Sequence, residues 1–245
     1  MEFPAFHEEV CDALAKIGKP SLGEHIAEDR RSNLEYLGVR VPLRRKIAHA
    51  GFSFSDANDA EVLRVWNDLW MHSPNGDVMF CALDWCRSKA KQAVNPEYWH
   101  TIRNWIERVE NWAHSDGLCS IYSLFLAVDE GGPWTDLDSW NRSDKEWYKR
   151  VSIVSLLRNS SKYPTYMPFE KAIPYLERCL EDRRFYLQKA VGWVLGEFRK
   201  DYPSEVDEFL KVNLKEISSP ALTRALERAS SEERRQWRQR KKELV

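Results

Sequence analysis

The sequence has 245 residues, of which 43% are hydrophobic and 31% charged, and its formal net charge is −1. This length suits one large domain or two small ones, and 10 glycines with 11 prolines leave few tight turns for an all-β fold. No run of about 18 apolar residues occurs, so we expect no membrane span.

The cysteines and the first residues indicate the compartment. The N-terminal residues lack a basic segment followed by an apolar run, so no secretory signal is expected. The five cysteines are scattered and form neither a CxxC pair nor a zinc-ligand spacing. We therefore expect reduced thiols in a cytoplasmic protein, most of them acting as small buried hydrophobic residues.

Apolar residues recur with helical periodicity from the first helix onward. Phe6, Val10, Leu14 and Ile17 fall on one face, and Pro42 suits the first turn of another helix. Further stripes begin near Val62 and near Val78. Additional helices are predicted over 97–108, 114–128, 144–158, 168–180, 184–200, 203–212 and 218–229. With no convincing alternating strand between them, the prediction is an all-α protein.

The lengths of these helices and their short polar links are typical of stacked helical hairpins. We therefore predict an α-solenoid of HEAT-like repeats with a concave face, although no strict sequence repeat is present. Residues 1–245 are interpreted as one domain, with the Gly131-Gly132-Pro133 stretch as an internal loop. Residues 231–245 are a candidate exposed basic helix at the C-terminus.

One aromatic residue lies on the wrong face of the helix predicted over 184–200. Trp193 is about 200° around the helix from Val191, which belongs to the apolar stripe. It shares its face with Tyr186 and Lys189, a combination suited to a flat, anionic partner. Packing of Trp193 against the next repeat is the alternative, and the pattern alone favours it.

Three further residues, on two other predicted helices, are also unusual. Trp112 and Asp116 lie four residues apart on a common face away from the core stripe, although the helix dipole by itself favours an aspartate in a first turn. Arg150 begins a run that is apolar on nearly all sides. It must therefore meet a carboxylate, which would be a structural role, or a phosphate, which would be a functional one.

Four segments, taken together and in order, are similar to the DNA alkylation repair family of HEAT-like glycosylases, the AlkD type. These segments are Tyr36–Arg45, Trp112–Asp116, Trp147–Arg150 and Gln188–Leu195. The last of them is the most specific. In that family the active cleft contains a tryptophan, an aspartate four residues later, an arginine on a following helix and a second tryptophan. The resemblance thus implies catalytic roles for Trp112, Asp116, Arg150 and Trp193.

The resemblance implies a DNA glycosylase that hydrolyses the N-glycosidic bond of cationic N3- or N7-alkylated purines in duplex DNA and so initiates base excision repair. The base would stay largely stacked, and no metal or organic cofactor and no protein partner is implied. We expect a bacterial cytoplasmic protein associated with the nucleoid. Candidate DNA-phosphate contacts are Arg44, Arg45, Lys46, Arg183, Arg184 and Lys189, although for each alone a solvated surface charge is the simpler interpretation.

Two alternatives stay open at this point. The first is a family member that binds branched or damaged DNA without excising bases. The second is a HEAT-like protein scaffold that binds no nucleic acid. The net charge of −1 gives no support to a DNA partner by itself, because DNA-binding domains are usually basic. The carboxylate of Asp116 favours the enzyme, because a pure DNA binder has no use for a negative charge facing phosphates.

Overall fold

The computed structural model describes residues 1–92, 94–129, 131–157 and 167–244. These described residues form 14 α-helices and two short 3-10 helices, with one isolated bridge between Glu35 and Asn75 and no strand. The all-α prediction is therefore confirmed. No helix in this described part has the length and apolar character needed to cross a membrane.

The chain divides into two compact units, Met1–Val128 and Asp129–Val245. The prediction of one domain over residues 1–245 stays a prediction. Helices α1 to α7 belong to the first unit. They are Pro4–Ala15, Pro20–Arg30, Val41–Ala50, Asp59–His72, Gly76–Gln92, Trp99–Ile102 and Trp112–Leu126.

Helices α8 to α14 belong to the second unit. Their bounds are Gly132–Asn141, Glu146–Val154, Phe169–Leu180, Phe185–Phe198, Pro203–Val212, Ser219–Ala225 and Ser231–Glu243. The loop predicted at Gly131-Gly132-Pro133 includes only Gly131 of the three, because α8 begins at Gly132. Pro133 lies in its first turn, where the missing N–H would have had no intrahelical partner.

The helix predicted over 97–108 is divided in the structure. A 3-10 helix, Pro96–Tyr98, precedes α6, and a second one, Arg103–Arg108, follows it. Helix α2 was not predicted at all, because Gly23 is its only buried residue and no apolar stripe marks it. Part of the helix predicted over 144–158 is present as α9, and Arg158 lies outside the described residues.

In each unit a central helix organises the core. In the first unit α5 packs against α1, α3, α4 and α7, so its residues from Val78 to Leu83 are all buried. In the second unit α11 packs against α9, α10, α12 and α13. Gly192 permits this close approach, because a Cβ there would clash with the carbonyl oxygen of Ala221 in α13. These two helices carry or adjoin the residues considered below.

Candidate functional site

Side-chain hydrogen bonds hold the first turn of α7 in place. Asn111 caps the helix, because its Oδ1 accepts hydrogen bonds from the backbone N–H groups of Ala113 and His114, both at 3.0 Å. Its Nδ2 donates to the Tyr36 hydroxyl at 3.3 Å. Ser32 in turn bonds both Tyr36 and Glu110. The cap therefore fixes the direction in which the following side chains leave the helix.

Trp112 and Asp116 lie one turn apart on α7, and both side chains are half-buried. The apolar stripe of the helix, which includes Leu118, Ile121 and Phe125, is fully buried. The helix therefore has the two distinct faces that its sequence pattern indicates. A tryptophan ring and a carboxylate share the face that is not part of the core.

The side chain of Arg87 of α5 contacts α7 one turn beyond Asp116. The sequence pattern did not predict this contact. The Arg87 Nη2 donates to Ser120 Oγ at 2.6 Å, and its Nη1 lies 3.9 Å from Asp84 Oδ1. Burial lowers the pKa of this guanidinium, although Asp84 opposes the effect. The guanidinium of Arg87 thus bonds the Ser120 hydroxyl on the face of α7 that carries Trp112 and Asp116. The i,i+3 spacing of Asp84 and Arg87 on α5 was the available signal.

His114 is completely buried beside this face. Its ring lies 5.6 Å from Trp70 and 5.0 Å from Phe80, measured between ring centroids. Burial, and then the positive charges of nearby arginines, lowers its pKa from 6.5 to about 3. The imidazole is therefore neutral at physiological pH and acts as a packed core group.

Arg44 of the Tyr36–Arg45 segment is buried. It is 4% exposed, and its Nε donates to Asp84 Oδ2 at 2.9 Å while its guanidinium lies 4.6 Å from the centroid of Phe80. Arg45 also contacts Asp84, at 3.3 Å, but about half of its side chain is exposed. Lys46 is exposed. Of these three candidate phosphate contacts, only Arg45 and Lys46 reach the surface.

The backbone conformation of the same segment explains why it contains a glycine. Gly38 has φ +73°, and a Cβ there would clash with the carbonyl oxygen of Lys19. Its N–H donates to the buried carboxylate of Asp77 at 3.1 Å. This segment therefore joins α2, α3 and α5, which explains its distinctive sequence structurally.

In the second unit, Arg150 of α9 is 5% exposed. Its Nη1 donates to the backbone oxygen of Tyr186 at 2.6 Å. The neighbouring Glu146 accepts hydrogen bonds from the N–H groups of Tyr186 and Leu187, at 3.1 and 3.3 Å. A carboxylate from α9 thus satisfies the first N–H groups of α11, which lack partners within their own helix.

Trp193 lies two turns along α11 and is half-buried, between the buried residues Gly192 and Val194. Tyr186 and Lys189 are likewise at least partly exposed, as the sequence pattern predicts. The Tyr186 ring packs against Trp147 of α9, with 5.3 Å between the ring centroids. The result is an aromatic surface over the start of α9 and α11.

The cations near α11 differ in their partners. Arg184 pairs with Asp182 and donates to the backbone oxygen of Asp144 at 2.7 Å, and it is the main reason that the pKa of Asp182 falls to about 2. Arg183 donates to the Glu216 backbone oxygen at 2.7 Å, and the Lys189 Nζ lies 5.9 Å from the Phe185 ring centroid. Neither Arg183 nor Lys189 has a carboxylate partner among the described residues.

The four residues with implied catalytic roles are thus found in two pairs. Trp112 and Asp116 share one face of α7 in the first unit. Arg150 and Trp193 lie on α9 and α11 of the second unit, which pack together. Among the described residues, no group of three or more His, Cys, Asp or Glu side chains could hold a metal ion.

Comparisons with known proteins place this arrangement in context. A family model described as DNA alkylation repair enzyme matches residues 10–229. No curated relative matches the sequence.

Three solved structures share the fold. A protein described as a predicted DNA alkylation repair enzyme from Enterococcus faecalis is 15% identical, with a TM-score of 0.67 over 87% of this chain and 97% of its own. AlkD2 from Streptococcus mutans is 20% identical, with a TM-score of 0.55 over 86% of this chain and 98% of its own. The protein smu.31 from Streptococcus mutans UA159 is 21% identical, with a TM-score of 0.53 over 75% and 89%. At these identities the likenesses establish the fold alone.

Proposed function

This chain belongs to the DNA alkylation repair enzyme family, and from that premise we propose that it is a DNA glycosylase that releases cationic N3- or N7-alkylated purines from duplex DNA. The observation that carries the proposal is the pairing of Asp116 with Trp112. A half-buried carboxylate lies one turn from a half-buried indole, on a face of α7 outside its buried apolar stripe. Such an enzyme would initiate base excision repair on nucleoid DNA in a bacterial cytoplasm.

The reaction needs little from the protein beyond electrostatics. Alkylation at N3 or N7 makes the purine cationic, so its bond to C1′ of the deoxyribose is already weak. As that bond breaks, its electron pair neutralises the purine and positive charge develops on the sugar. The Asp116 carboxylate stabilises that charge and orients a water molecule. The water oxygen then bonds to C1′ and loses a proton, which leaves an abasic site and the free alkylated base.

The other residues serve to hold the substrate. Trp112 and Trp193 stack on the deoxyribose and the cationic base, because an indole face attracts positive charge. Arg150 is 5% exposed and donates to the Tyr186 backbone oxygen, so it would need to exchange part of that contact to hold a backbone phosphate near the lesion. The base stays largely stacked, so selectivity comes from the charge of the lesion itself and neutral lesions are poor substrates.

Phosphates further along the duplex contact exposed cations in each unit. Arg45, Lys46, Arg183 and Lys189 are on the surface and suit this role, and Arg184 would need to exchange part of its contact with Asp182 for a phosphate. Arg44 is paired with Asp84 instead, and we assign it a structural role, because it holds the carboxylate that also contacts Arg45.

The test is release of free bases from methylated duplex DNA by the wild type and by Asp116→Asn. We expect the wild type to release 7-methylguanine and 3-methyladenine but not a neutral lesion such as uracil. Loss of the carboxylate should slow release by about 10²- to 10³-fold, the usual effect of removing one stabilising group. Asp12→Asn, which changes an exposed carboxylate of α1, is the matched control and should retain full activity.

Two results would count against the proposal. Equal rates for the wild type and Asp116→Asn would remove the carboxylate from the chemistry. Absence of release by the wild type, despite salt-sensitive DNA binding, would favour the binding protein that does not excise bases.

A further inference from the structure

The last helix, α14, lies beyond the residues that the family model matches, which end at 229. Between Ser231 and Glu243 it carries six arginine or lysine residues against three glutamates. Since the whole chain has a net charge of −1, the rest of the chain is acidic overall. The positive charge at this end is therefore concentrated in one helix.

Specific contacts dock α14 on the second unit. Trp237 is 4% exposed, although almost every other residue of the helix is polar. Glu233 pairs with Arg199 of the segment after α11. The Lys241 Nζ donates to the backbone oxygen of Leu214 at 2.7 Å. These contacts lie on one side of the helix and fix which of its residues point outward.

One flank of the helix, beside its docked side, carries a cationic stripe, Arg234, Arg238 and Lys242, in which Arg234 is partly buried and the other two are exposed. These residues are four positions apart, so they follow one another along the helix over about 12 Å. The stripe is centred about 100° around the helix from Trp237. Within the described residues, none of the three cations has a carboxylate partner, whereas Arg235 is paired with Glu232.

The helix that carries the cationic stripe is also bonded to the loop that holds Arg183, a cation that the proposed function already uses. Lys241 is bonded to the carbonyl oxygens of Leu214 and Lys215, and Arg183 donates to the carbonyl oxygen of the next residue, Glu216. The same short loop therefore holds the C-terminal part of α14 and the side chain of Arg183.

We propose that the cationic stripe of α14 binds consecutive phosphates of one DNA strand away from the lesion, as an anchor that is independent of sequence. A strand carries a phosphate about every 3.4 Å of helix axis, so a stripe of about 12 Å can contact three of them. The inference rests on the proposed function, because it assumes a duplex DNA substrate. It adds a binding surface separate from the four residues that act at the lesion.

The experiment compares the wild type with the triple variant Arg234→Gln, Arg238→Gln, Lys242→Gln. The dissociation constant for undamaged duplex DNA is measured between 50 and 200 mM salt. Three lost phosphate contacts should make the slope of log affinity against log salt less steep by about 2.7. Across this fourfold change in salt, the wild type should therefore lose about 40-fold more affinity than the variant.

A second triple variant is the matched control for net charge. Lys171→Gln, Lys200→Gln and Lys211→Gln remove the same number of exposed cations from the same unit, outside α14. Far-UV circular dichroism and thermal unfolding of both triple variants verify that the helix and the unit remain folded. The control should keep the wild-type slope. An equal loss of slope in both triple variants would overturn the inference, because net charge alone would then explain binding.

Two further readouts separate this inference from the proposed function. If the wild type releases methylated purines but both proteins have the same salt slope, the inference fails and the proposed function stands. If the wild type neither binds DNA nor releases bases, the proposed function fails and the inference fails with it. Competition by poly-glutamate as effective as competition by duplex DNA of equal charge would overturn the DNA assignment in favour of an acidic protein partner.

Discussion

The buried imidazole of His114 should make the stability of this protein depend on pH. In the folded state its pKa is about 3, whereas in the unfolded chain it returns to the ordinary value of 6.5. As the pH falls below 6.5, the unfolded chain therefore binds a proton that the folded protein does not. The contribution of His114 to stability is complete above pH 6.5 and is lost progressively down to about pH 3.

The size of the effect follows from the linkage relation. Each pH unit in this window costs about 1.4 kcal/mol, so lowering the pH from 6.5 to 5 costs about 2 kcal/mol from this residue. The groups that oppose protonation are Arg30 of α2, Arg44 of α3 and Arg108, besides burial itself. Trp70 and Phe80 pack against the ring and provide no carboxylate to offset them.

The assay is urea unfolding of the wild type and His114→Phe at pH 6.5 and pH 5. The phenylalanine ring suits an apolar site of similar volume, so we expect the variant to fold and to lose about 2 kcal/mol less than the wild type between the two pH values. His100→Gln, which changes an exposed histidine, should keep the wild-type dependence. If the wild type and His114→Phe lost stability in parallel, the imidazole would not be held neutral and the reasoning would be refuted.

Two further predictions concern packing. Arg44→Met should destabilise the fold by about 3 kcal/mol in urea unfolding, because it leaves the buried Asp84 carboxylate without its nearest partner. Arg45→Gln should change stability by less than about 0.5 kcal/mol. Similar losses of stability in the two variants would contradict the burial of Arg44. Gly192→Ala should cost about 1–3 kcal/mol because its Cβ would clash with a carbonyl oxygen of α13, and Gly196→Ala, with its nearest atom at 3.2 Å, should cost less. Equal thermal unfolding of the two alanine variants would show that α11 and α13 are not in such close contact.

The sequence by itself determined the secondary structure class and the faces of the helices. A period of 3.6 in the apolar residues is a local property, so it can be seen without knowing what each helix packs against. The same geometry placed Trp112 with Asp116 on α7, and Trp193 with Lys189 on α11. Helix α2 was not predicted because it buries almost no side chain, and apolar periodicity cannot indicate a helix that lacks an apolar stripe.

The tertiary structure alone decided how the charged residues are used. Arg44 and Arg45 are neighbours in the sequence, yet one is buried against Asp84 and the other is half exposed. The partner of Arg44 lies 40 residues away, on a helix that only folding brings close. Likewise, Glu146 satisfies the start of a helix 40 residues further on. A helical pattern indicates which side of a helix is buried, but the burial and pairing of a charge depend on which other segment packs there.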